Sequence, residues 1–270
     1  MTHAAPSIGR NALAVSRPRR SEKIARAARR AYEYFVFGGS LAAFGLLSLG
    51  WSLAAAPLYV VLPRRLGQRI GQFVIMAASR FFVGTMQASG IITCDLAALD
   101  ALRCDEALVI APNHPSLLDA VLVISRLPRI VCITKPGIWN NLFLAGAASL
   151  AGFIPSGTKL RLVKGAARQL RAGHHLLVFP EGTRTARAPI GDFKPGFAFM
   201  ALNAGAPVQT VFIESNSRFL GKGWPFFKKP EFPLVYRVRL GRRFCVGNDR
   251  QAFVRELEQY YRHELASPPA

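Results

Sequence analysis

The 270-residue chain predicts an α/β domain, a layered mixed or mostly parallel sheet flanked by helices, behind an N-terminal membrane-inserted helical region. Three observations carry that expectation. No charged residue occurs between Glu33 and Arg64. From Ser89 onward, short apolar runs alternate with stretches of helical periodicity, the pattern of strands joined by helices. Hydrophobic residues make up 51% of the chain, enough for a real core and too many for a disordered basic tail or a histone-like protein.

Residues 1–34 read as a basic arm that ends in an interfacial helix, SEKIARAARRAYEY over 21–34. Residues 35–62 are the apolar segment, 28 residues interrupted only by Gly, Ser and Pro57. One helix of that length extends ~42 Å, beyond the ~30 Å hydrocarbon core of a bilayer. Seven basic residues precede it (Arg17, Arg19, Arg20, Lys23, Arg26, Arg29, Arg30) and four follow (Arg64, Arg65, Arg69, Arg80). Positive charge on both flanks favours two ends on the cytosolic side. Ser48-Leu49-Gly50-Trp51-Ser52 offers a turn, so the expectation is a re-entrant hairpin of two half-helices, with a single span or a buried helix pair as alternatives. Residues 63–88 mix those arginines with Leu66, Ile70, Phe73, Phe81 and Phe82, as an amphipathic interfacial helix or a packed linker does.

Residues 89–270 form the α/β domain. Strands are expected at 89–94, 107–111, 130–134, 175–179, 208–213 and 234–240, and helices at 116–126, 138–151, 159–172, 195–204 and 250–265. The last helix reads as an amphipathic element packed on the domain. Four cysteines without C-x-x-C spacing exclude a disulfide framework and point to reduced thiols. No metal is expected, since His174-His175 has no carboxylate or thiol at ligand spacing.

Two segments carry chemistry. In ALVIAPNHPSLLDAVLVISRL a strand runs into Pro112-Asn113-His114-Pro115 before a helix starts near Ser116. Five positions apart on a continuous helix, His114 and Asp119 would diverge by ~140°. Pro115 suits a first turn and Ser116 caps it, which leaves His114 in the loop with Asp119 projecting back to it. A carboxylate there accepts the imidazole N–H and raises the basicity of the other nitrogen. In HHLLVFPEGTRT a strand ends in Pro180-Glu181-Gly182-Thr183-Arg184, at the strand end where α/β sheets bind ligands. Gly182 lets a ligand approach the backbone, and Arg184 offers a planar fork for phosphate.

NHPSLLD and FPEGTRT, in this order, resemble the H-x4-D and F-P-E-G-T-R blocks of the glycerolipid acyltransferases, the lysophosphatidate acyltransferase-like group. The resemblance covers roughly residues 85–215. It implies acyl transfer from a thioester, acyl-CoA or an acylated carrier protein, to a lipid hydroxyl such as that of 1-acyl-glycerol-3-phosphate. His114 would be the general base and Asp119 its orienting partner. Asn113, Lys135, Glu181, Gly182, Thr183 and Arg184 would serve substrate binding. A direct transfer agrees with the lack of a G-x-S-x-G elbow. The chain departs from the family at Lys135-Pro136-Gly137-Ile138, which lacks the acidic residue of K-x-E-L. The stretch 152–157 lacks a closing arginine, for which Lys159 or Arg161 stands as a substitute, and Pro207-Val208-Gln209-Thr210 has one proline of P-V-x-P-V. Acceptors of another class, such as a lyso-aminolipid, stay open, as does a catalytically inactive membrane-tethered binding protein.

The net charge of +20 calls for an anionic partner. Residues 216–243 hold eight Lys/Arg against Glu231 alone, interleaved with Phe219, Trp224, Phe226, Phe227, Phe232 and Tyr236. Beside an apolar membrane segment, membrane lipids and the donor's phosphates are the more economical partners, and nucleic acid is not expected. No cofactor beyond the thioester co-substrate is expected, and the site is expected on the cytosolic face of a membrane.

Overall fold

The computed structural model describes residues 20–187, 189–225 and 227–266. The arm expected at the N-terminus lies outside the described residues up to position 19. From Arg20 the chain forms α1 (Arg20–Val61), 42 residues and ~63 Å long. It is long and apolar enough, by length and composition, to cross a membrane.

The turn expected at 48–52 is corrected: α1 passes through it unbroken. A continuous helix pairs the backbone groups of residues 48–52 within itself, which a turn in apolar surroundings would not. The chain reverses later, at Leu62-Pro63, where Pro63 precedes α2 (Arg64–Ala88). Tyr32 Oη donates to the Ser89 carbonyl at 3.0 Å and Phe44 packs on Phe82 at 4.7 Å, so α2 returns antiparallel along α1. The outer faces of this hairpin expose Phe35, Leu46, Val60, Val61, Phe73 and Phe81. A surface with so many large apolar side chains is not that of an ordinary soluble helix pair.

The α/β domain follows as β1 (Ile92–Asp95), β2 (Val109–Pro112), α3 (Leu118–Ile124), β3 (Ile130–Thr134), α4 (Pro136–Trp139), α5 (Ala145–Leu150), β4 (Ile154–Pro155), α6 (Lys159–Arg171), β5 (His175–Leu177), α7 (Gly196–Ala204), β6 (Val208–Ser215), β7 (Leu234–Phe244) and α8 (Arg250–Ala266). The helix expected over 138–151 is two, α4 and α5. Between them the Asn141 side chain accepts the Phe143 N–H at 2.8 Å, a local bond that competes with helix. The seven strands run in the order β1-β7-β6-β2-β5-β3-β4. The five from β6 to β4 are parallel to one another, β7 is antiparallel to β6, and β1 is parallel to β7.

Two apolar cores cover the two faces of the sheet. One joins α2 and α3 to the sheet through Phe82, Val83, Met86, Leu118 and Leu122. The other joins α6, α7 and α8 to it through Val163, Leu170, Phe197, Met200, Phe253 and Leu257. The Tyr261 hydroxyl of α8 is wedged between the parallel strands at the site end, bonded to the Ala111 carbonyl and accepting the Val211 N–H at 3.1 Å. Ser52 of α1 explains the polar residue inside an apolar helix. Its buried hydroxyl accepts the N–H groups of Gly146 (2.8 Å) and Ala147 (3.4 Å), donors left over at the start of α5. A Cβ on Gly146 would overlap the Ser52 backbone, so only glycine permits this approach.

Candidate active site

The site is built on the carboxyl ends of β2 and β5, neighbours at the middle of the sheet. Beyond the last residue of β2, the Asn113 carboxamide imitates one more strand residue. Its oxygen accepts the Ile213 N–H at 2.7 Å and its nitrogen donates to the Ile213 carbonyl at 2.9 Å. Both ends of the amide are used on β6, so Asn113 fixes the loop ahead of His114.

His114 comes next, with its side chain 13% exposed. Its Nδ1 lies 2.8 Å from Asp119 Oδ2, and the same oxygen accepts the Ser116 N–H at 2.7 Å. Asp119 sits in the first turn of α3, and Ser116 Oγ accepts the Leu118 N–H at 3.2 Å just ahead of the helix. The loop before the helix is as expected and brings the two side chains together, but the helix starts at Leu118 with Leu117 in the N-cap position, so Pro115 and Ser116 stand ahead of it and not in its first turn. Burial pushes the fully enclosed Asp119 carboxyl up to about 6, against the lowering influence of the His114 ring and the Ser116 N–H. At neutral pH it is a carboxylate that can only accept, so the imidazole carries its proton on Nδ1 and leaves Nε2 as a base.

The ring is held from a second direction. Phe179 stacks on His114 with centroids 3.7 Å apart and planes 15° from parallel. Stack and hydrogen bond together leave the imidazole little freedom, a preorganisation the sequence motif did not reveal.

Glu181 is buried and its carboxylate accepts three bonds: from the His114 N–H (3.2 Å), the Thr185 hydroxyl (2.6 Å) and the Gly191 N–H (2.7 Å). A carboxylate so engaged ties the β5 loop to the β2 loop. The Thr185 N–H adds a bond of 2.7 Å to the His114 carbonyl. Gly182 turns the chain after β5 with φ of +67°, and its N–H donates to the Phe179 carbonyl. Thr183 beside it is half-buried.

Arg184 stands at the end of this loop, half-buried. Its Nη1 donates to the carbonyls of Leu220 and Gly221, each at 2.8 Å, and Leu117 donates to the same Leu220 carbonyl at 3.2 Å. Leu220 takes the left-handed conformation, with φ of +53°. The guanidinium thus clamps the segment after β6 onto the catalytic turn. That segment is the start of the basic aromatic stretch, and its Phe219 meets Phe37 of α1 at 5.8 Å. Lys135 follows β3 on the same edge of the sheet and is exposed; Lys159 and Arg161, in the first turn of α6 beyond β4, are exposed as well.

Burial pushes the thiols of Cys94 and Cys132 up to about 12, which removes them as thiolate nucleophiles. Among the described residues no group of three or more His, Cys, Asp or Glu is gathered as a metal would need.

The family model described as Acyltransferase matches residues 95–214, an interval that contains both loops. The chain is 27% identical over 135 residues to a chloroplastic 1-acyl-sn-glycerol-3-phosphate acyltransferase of Brassica napus, an alignment covering 48% of this chain and 39% of that protein. It thus spans well under half the length of this plant relative. A bacterial 1-acyl-sn-glycerol-3-phosphate acyltransferase, from Pseudomonas aeruginosa, is 24% identical over 215 residues, 77% of this chain and 80% of that one. Among solved structures, the 1-acyl-sn-glycerophosphate acyltransferase of Thermotoga maritima superposes with a TM-score of 0.62 over 92% of this chain and 99% of its own, at 15% identity. At that identity the likeness speaks for the fold.

Proposed function

Because the chain belongs to the acyltransferase family, in its lysophosphatidate acyltransferase-like group, we propose that it moves a fatty acyl group from a thioester to the free hydroxyl of a lysophospholipid at a membrane surface. The observation that carries this reading is the buried His114–Asp119 pair, 2.8 Å apart at the strand ends. Nε2 of His114 takes the proton of the acceptor hydroxyl as its oxygen attacks the thioester carbonyl. The tetrahedral intermediate then expels the thiolate, which recovers that proton from the imidazolium. Asp119 holds the tautomer and balances the transient positive charge. Lys135 and Lys159 are exposed cations on this edge, and the exposed Lys194 lies against Gly182 of the β5 loop; together with the Arg184 donors other than Nη1 they offer charge to the phosphate of the acceptor or donor. The α1–α2 hairpin, with its exposed apolar side chains and flanking arginines, supports attachment to a bilayer.

The test is thioester turnover by purified protein in phospholipid vesicles, with palmitoyl-CoA and a panel of lysophosphatidate, other lysoglycerophospholipids and a lyso-aminolipid. The expected product is diacylated lipid, fastest with lysophosphatidate. Thiol release no faster than that of His114→Ala across the panel would overturn the reading. Free fatty acid without acylated lipid would make the protein a hydrolase. Preference for the lyso-aminolipid would change the acceptor and keep the chemistry.

Arg184→Ala separates clamp from phosphate ligand. Losing the two charge-assisted bonds to the Leu220 and Gly221 carbonyls, and with them the support of the segment packed on the His114 turn, is expected to lower kcat about tenfold while acceptor KM stays within about twofold. A KM raised tenfold at unchanged kcat would return Arg184 to the phosphate.

A further inference from the structure

Helix α6 carries five cations and no acidic residue: Lys159, Arg161, Lys164, Arg168 and Arg171. The last four follow one another at intervals of three, four and three, which sets them on one face, and all four are exposed. The opposite face, with Val163, Ala166 and Leu170, is spent on the core. Among the described residues none of the four takes part in an ion pair. Arg171 donates to the Asn203 carbonyl of α7 at 2.6 Å, and beside it α6 and α7 enclose an open groove of about 460 Å³. Its walls include the apolar Val163 and Ala167 and a cationic rim of Lys164, Arg168 and Arg171. Like charges at these intervals repel and stabilise nothing in the free protein.

We propose that this face of α6 docks an acidic helical carrier protein that delivers the acyl thioester; the proposal rests on the acyl-transfer reading. Charge complementarity names the partner's sign, and an interhelical groove with an apolar wall and a charged rim accepts a helix. The α6–α7–α8 layer covers the sheet face opposite the one packed by α2, and the four cations point away from the core contacts of α6. The first turn of α6 follows β4, three strands from β2, or roughly 14 Å across the sheet at the usual interstrand spacing, and the groove begins about one turn further along the helix.

The experiment uses the full chain in zwitterionic vesicles and two donors, palmitoyl-acyl carrier protein and palmitoyl-CoA, with Lys164→Glu/Arg168→Glu and the milder Lys164→Ala/Arg168→Ala. The charge reversal is expected to raise KM for the carrier-bound donor tenfold or more, with its kcat and the palmitoyl-CoA KM changed less than twofold. The alanine pair should move the same constant about threefold. Binding of holo-carrier protein, measured by fluorescence anisotropy, should weaken in step, and it reports docking even if acyl transfer is absent. Equal effects on both donors, no use of or binding to the carrier by the wild type, or a defect confined to binding anionic vesicles would each overturn the proposal. Thiol release from neither donor, with carrier binding intact and sensitive to the reversal, would sink the transferase reading and leave the docking surface standing.

Discussion

Replacing His114 by alanine is expected to lower kcat about a thousandfold while the thermal midpoint falls by only a few degrees. General-base catalysis contributes factors of about 10²–10⁴, and here the base has no neighbour to replace it. Cys94 and Cys132 are held as neutral thiols, and the Glu181 carboxylate is consumed by three backbone and hydroxyl donors. The small stability cost follows from position: His114 lies in a loop, partly exposed, and Asp119 Oδ2 keeps the Ser116 N–H when the ring is gone. Acyl-transfer rates and circular dichroism melts check both halves. Loss of less than tenfold would show that His114 is not the base.

Asp119→Asn should cost nearly as much, by a different route. An amide offers one acceptor and one donor group where the carboxylate offers acceptors alone, so the ring loses the partner that keeps its proton on Nδ1. The wild-type pH profile carries the same information. Burial raises the carboxyl from the ordinary range to about 6, so it gains a proton as pH falls through 6 and ceases to fix the imidazole. The rate is expected to fall about tenfold per unit below pH 6. Stability moves the other way for this group. A carboxyl whose folded pKa exceeds the unfolded value of ~3.9 contributes most below that value, and the contribution is lost as pH rises through 6. The acid limb should therefore appear with the fold intact by circular dichroism. Persistence of the same limb in Asp119→Asn would assign it elsewhere.

Much of this was legible because short-range chemistry decided it. Pro115 and Ser116 dictate a loop before a helix, and that alone sets His114 against Asp119 despite their unfavourable helical offset. The alternation of apolar runs places six of the seven strands, since period and turn residues are local signals, whereas β4, two residues long, leaves no run to read. What escaped depends on contacts distant in the chain. Nothing near Arg184 announces that Leu220 and Gly221 will offer it carbonyls, and nothing near Asn113 announces Ile213. Ser52 reads as a turn residue until α5 brings two orphan N–H groups to it. The reversal at Leu62-Pro63 was displaced in the sequence reading because the apolar pattern marks a helix's length and says little about where its partner begins.

The Ser52 contact has a mechanical meaning. Helix α1 is tied into the α/β domain: the Ser52 hydroxyl caps the start of α5, and Gly146 lets the two backbones touch. If α1 rests in a bilayer, the domain inherits a set height and tilt from it. Such a protein would meet its acceptors by lateral diffusion in two dimensions, with the reacting hydroxyl sampled at one depth. Membrane thickness and packing then become variables of the reaction, transmitted through the contacts that fix α1 to the domain.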